Sequence, residues 1–194
     1  MGNRQKFDTI ITLQKCINLF CEILLCSKTN IHVVRANGDV EIYAEVKNSF
    51  AGAMKVWNSL NAKYDFRDNL FTEFKKTFSS FNKGVYEDFE NVVLGSTFDN
   101  VIVKKEDIQL LIAAYEKYID EFDGSNLGSQ IEIFKQIENE ADAIGIAWCQ
   151  TSVCDDLWDF SYDEEKDELI PYNIYKGDNH WFLFDDILTK EEKA

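Results

Sequence analysis

Cys154, His180 and a carboxylate at Asp178 or Asp185 are the residues whose types would suit nucleophilic catalysis. A thiol becomes a strong nucleophile when a base removes its proton, and a carboxylate can orient that base. The chain has only two histidines, His32 and His180, and His180 sits at the start of a strand-like run, Asn179-His180-Trp181. Twenty-six residues separate Cys154 from His180, a short path for groups that must converge in space. In so acidic a segment a carboxylate falls near any histidine by chance. The cysteine hydrolase or transferase these residues would make is therefore the alternative reading, and the leading one assigns no catalytic residue.

The denser chemistry is acidic. Asp155, Asp156, Trp158, Asp159, Tyr162, Asp163, Glu164, Glu165, Asp167 and Glu168 fall within fourteen residues. On a strand, Trp158, Phe160 and Tyr162 would face one way and Asp159, Ser161 and Asp163 the other, which sets carboxylates over an aromatic layer. Carboxylates steer a cationic partner, and tyrosine and tryptophan anchors supply affinity. The same oxygens lack the ordered spacing of a calcium-binding loop. Cys149 and Cys154 lack a second pair of soft ligands. No metal or cofactor is expected. A glycine-rich phosphate loop, a G-x-S-x-G elbow and paired C-x-x-C motifs are all missing from the sequence.

Charge distribution sharpens the acidic reading. Residues 1–100 hold 12 Lys/Arg against 12 Asp/Glu, whereas residues 101–194 hold 8 against 23, so the net charge of −15 belongs to the second half. Such a field repels phosphates and anionic lipid and attracts basic proteins. Neither direct nucleic-acid binding nor membrane binding is expected. Five cysteines form an odd set, and Cys16, Cys21 and Cys26 share no helical face, which reads as a reduced, cytoplasmic protein without a disulfide framework. Asp8, Gln14, Lys15, Asn18 and Glu22 interrupt the first apolar stretch too often for a signal peptide or a span. Lys6 stands where a myristoylation motif places Ser or Thr.

The elements that would position these groups follow from periodicity. Length and a 45% hydrophobic content suit one α+β domain over 1–194, with a helical subregion at 49–143. Residues 7–27 carry an amphipathic helical stripe. Residues 31–46 alternate around Asn37-Gly38, a pair suited to a type I′ hairpin turn. About five central helices are expected: 49–64 capped by Ser49, one capped by Asp68 with a Phe74, Phe78, Phe81 stripe, a shorter one over 86–94, one over 106–123 stopped by Gly124, and one over 129–143. Apolar and alternating runs at 144–151, 157–163, 169–175 and 181–184 suggest a C-terminal antiparallel β-meander. The function expected from all this is an acidic inhibitor of a basic protein, of the immunity, antitoxin or anti-defence type, which could mimic nucleic acid toward a nuclease. A structural or assembly component, packing its aromatic stripes on another subunit, is a further alternative.

Overall fold

A computed structural model describes residues 28–66, 73–150, 161–165 and 167–187. Strands β1 (Lys28–Arg35) and β2 (Val40–Lys47) form the expected hairpin. Of the Asn37-Gly38 pair only Gly38 takes a positive φ, +91°. The Gly38 N–H donates to the Arg35 carbonyl at 2.8 Å and the Arg35 N–H to that of Asp39 at 2.9 Å. The connection is thus a three-residue loop ending in a positive-φ glycine, not a type I′ turn.

The helix expected over 49–64 is two: α1 (Asn48–Ala51) and α2 (Ala53–Tyr64), parted by an extended Gly52. A Cβ at Gly52 would stand 2.6 Å from Thr29 Oγ1, so α1 lies too close to β1 for any other residue there. Ser49 lies within α1 and is not a cap; the N-caps are Lys47 and Gly52, and Asn48 Oδ1 accepts from the Met54 N–H of the first turn of α2 at 2.9 Å. Then come α3 (Glu73–Ser79) and α4 (Asp88–Gly95), the latter opened by a reciprocal capping box between Glu87 and Glu90. Helix α5 (Ile108–Phe122) ends on Asp123 at φ +49°, one residue before the expected stop at Gly124. Helix α6 (Gly128–Asn139) follows. The stripe expected over 7–27 and the cap expected at Asp68 lie outside the described residues.

Strand β3 (Val101–Lys104) has no counterpart in the sequence reading, because four apolar-rich residues between helices carry no period. Strands β4 (Ala143–Gln150), β5 (Ser161–Asp163), β6 (Glu168–Ile170) and β7 (Trp181–Phe182) precede a final turn of helix, α7 (Leu183–Asp186). The expected C-terminal meander is not what forms. The large sheet runs β2-β1-β4-β3-β7 and is mixed, with β7 parallel to β3, while β5 and β6 pair separately. The mixed α/β class stands; the strand order does not follow the chain.

Cross-strand register explains the two layers. Ile31 faces Trp148, and Val33 and Val103 both face Ile146, which builds the side covered by the helices. Trp57 joins it edge-on to Phe74 and Phe78. The opposite face carries Val34, Val40, Ile102, Ala147 and Cys149, against which Tyr172 and Ile174 pack. Strand β4 is buried on both faces, hence its nearly unbroken apolar run.

Candidate functional site

The described part of the acidic segment is a hairpin. Strands β5 and β6 pair Ser161 with Ile170, Tyr162 with Leu169 and Asp163 with Glu168. The turn between them is closed by Asp167 at φ +57°, a conformation that aspartate tolerates better than most residues. Five of the six residues from 163 to 168 are acidic. Glu164, Glu165 and Asp167 are exposed at the tip, and Ile170 at the far end is 42% exposed. Of the other expected partner-binding residues, Tyr162, Asp163 and Glu168 lie on the paired strands, whereas Asp155, Asp156, Trp158 and Asp159 lie outside the described residues.

Acidic groups also appear elsewhere in the chain, and several are engaged. Arg35 gathers Glu41 (3.0 Å), Asp142 (3.0 Å) and Glu140. Burial works against the Arg35 charge, but its hydrogen bonds to Glu140 and Glu41 win and hold its pKa above the ordinary value. Lys63 bridges the buried Glu90 (2.8 Å) and Glu121 (2.9 Å). Glu116, Asp120 and Asp123 stay exposed along the outer side of α5. Several carboxylates of the latter half are thus ion-paired, and Glu164, Glu165 and Asp167 at the hairpin tip are exposed.

For the thiol reading, Cys154 lies outside the described residues. His180 Nδ1 stands 2.9 Å from the Tyr172 hydroxyl. Burial holds the imidazole below its ordinary pKa, with Asp178 pulling the other way. Asp185 is taken up by Lys104 Nζ at 2.8 and 3.0 Å. That bond raises the pKa of Lys104, while burial, helped by Glu106, lifts that of Asp107. The two partners that define this corner, Tyr172 and Lys104, escape sequence reasoning because neither belongs to a motif and Lys104 is far from Asp185 along the chain.

Among the described residues no group of three or more His, Cys, Asp or Glu side chains is arranged to hold a metal ion. Among the same residues no helix is long and apolar enough to cross a membrane. Comparison with protein-family models, curated proteins and solved structures finds no match to this chain.

Proposed function

We propose that this chain is an acidic cytoplasmic binding protein that inhibits or neutralises a basic protein partner, in the manner of an immunity protein, an antitoxin or an anti-defence inhibitor. Its carboxylates would stand where nucleic-acid phosphates otherwise sit on a nuclease or a similar partner. The observation that carries this reading is the placement of the whole net charge of −15 in residues 101–194, with Glu164, Glu165 and Asp167 exposed at one turn. Clustered surface carboxylates raise the encounter rate with a cationic surface, and exposed aromatic and aliphatic neighbours add contact area. Ile170, 42% exposed at the end of β6, and Tyr175, 65% exposed, are exposed apolar and aromatic groups of the same C-terminal segment.

Exposed charges are screened over about 8 Å at physiological ionic strength, so the complex should weaken steeply as salt rises. The test is capture from a lysate on the immobilised chain, followed by salt-dependent affinity and an activity assay of the recovered partner. Basic partners, salt-sensitive binding and loss of the partner's activity are expected. Recovery of only neutral or acidic partners with salt-insensitive affinity would overturn the reading.

A further inference from the structure

Residues 171–180 cross the sheet face that lies opposite the helices, and we propose that His180 is the acid-sensitive latch of this strap, releasing it from β2 when the imidazole is protonated. Two sets of contacts hold the strap. At the sheet edge, the Val40 N–H donates to the Tyr172 carbonyl (2.8 Å), the Ile174 N–H donates to the Gly38 carbonyl (2.8 Å), and Asn173 Nδ2 donates to Asp39 Oδ1 (2.8 Å). Asp39 and Asn173 thereby form an isolated antiparallel bridge beside the hairpin. At its other end the strap closes on itself through the Tyr172 side chain. That residue is 7% exposed and packs with Val34, Val40, Ile102, Ala147 and Cys149.

The hydrogen-bond geometry at Tyr172 makes the closure depend on protonation. Its hydroxyl oxygen accepts from the Asn179 N–H at 3.1 Å and lies 2.9 Å from His180 Nδ1. With neutral imidazole, the phenol donates to Nδ1 and the ring proton sits on Nε2. Protonation adds a hydrogen at Nδ1, so two N–H donors then point at one phenol oxygen and its own hydrogen must turn away. The Phe182 ring meets the imidazole edge to face at 5.5 Å and supplies no hydrogen-bond acceptor for the new N–H.

Three charged groups surround this corner from the elements packed there. Asp178, on the strap, favours the imidazolium. Lys104 of β3 lies 4.8 Å from the centroid of the Phe182 ring and is itself neutralised by Asp185 of α7. Burial outweighs Asp178, so the closed strap binds the proton more weakly than an open one. Linkage then requires that acid favour the open form. The other histidine, His32, lies on the same sheet face as the direct partner of Ala147, so a variant at His180 is needed to separate the two.

Amide hydrogen exchange, corrected for the intrinsic effect of pH, reads this strap directly. The reporting amides are Val40, Ile174, Lys176, Gly177 and Asn179, each with its acceptor in the closed form. On going from about pH 7.5 to about pH 5, the window in which a histidine changes charge, these amides should lose several-fold more protection than those of α5 and α6, whose own loss follows the global effect of His32. His180→Gln, which still accepts from Tyr172 and takes no proton, should abolish the acid-dependent loss. Tyr172→Phe should open the strap at neutral pH. Protection unchanged down to pH 5, equal loss in His180→Gln, or loss spread equally over α5 and α6 would each overturn the latch.

Discussion

His32 is fully buried, and desolvation holds its pKa down to about 4, against a small opposing contribution from the Asn30 backbone. The unfolded chain takes up a proton at an ordinary histidine pKa of about 6.5, while the folded chain resists until about 4. Stability is therefore intact above about pH 6.5, falls as the pH drops through that window, and levels off below it; the span is worth about 3 kcal/mol. Urea unfolding at stepped pH should trace this decline, with the His32 resonances titrating only at its lower end. A His32 that titrates near 6.5 in the folded protein would refute it. Glu90 is a second buried titratable group. It is 0% exposed and accepts from Tyr64 Oη (2.5 Å), Lys63 Nζ (2.8 Å) and the Glu87 N–H (2.8 Å). Burial, assisted by Glu90, pushes Tyr64 up to about 12. Glu90→Ala strands three donors and should cost about 3 kcal/mol in denaturant unfolding. Glu90→Gln should cost less and bring the tyrosinate absorbance of Tyr64 in at a lower pH; an unchanged titration would break the link between the two.

Elements reveal what local pattern can and cannot encode. Gly38 sits at φ +91°, and a Cβ there would come 2.5 Å from Tyr175 Cδ2. Gly38→Ala should thus cost about 1 to 2 kcal/mol, from the strained conformation and from displacing Tyr175. Thermal unfolding measures the loss, and Tyr175→Ala in the same background should recover part of it. If Gly38→Ala proves neutral, the turn geometry described above is wrong. The hairpin around this glycine is legible because alternation and a turn dipeptide lie within a few residues of one another. The helices are legible for the same reason, since Phe74, Phe78 and Phe81 or Ile108, Leu111 and Ile112 announce a buried face by spacing alone. The break at Gly52 is not, because it comes from Thr29, far away along the chain. Nor is β3, whose pairing with Ala147 and Ile146 depends on tertiary register and not on its own four residues. The C-terminal runs show the same limit: of the strand expected over 181–184 only Trp181–Phe182 forms, Leu183 and Phe184 turning into helix, and its parallel partner at Val101 and Ile102 has no local signature. Of the candidate site, the acidic turn at 163–168 was legible from composition, whereas the Tyr172–His180 contact needs the fold.

At the scale of the whole molecule, charge and packing are separable, and that makes the proposed function testable by mutation. The sheet and its helices draw stability from buried apolar groups such as Trp148, Leu60 and Phe134. Glu164, Glu165 and Asp167 are exposed, and replacing all three with lysine takes the net charge from −15 to −9. A surface change of this kind should alter unfolding free energy by no more than about 1 kcal/mol. Its effect on association should be far larger. The partner recovered by capture should bind at least about tenfold more slowly at low salt, because steering acts on the encounter. The difference between the variant and the parent chain should shrink as salt approaches molar strength, where the screening length drops to about 3 Å. Dissociation should change little unless the tip itself is buried in the complex. An association rate indifferent to the triple reversal would place the recognition surface elsewhere, with Glu116, Asp120 and Asp123 on α5 the next carboxylates to reverse. An association rate that falls equally at low and high salt would show that shape at the hairpin, and not its charge, is what the partner reads.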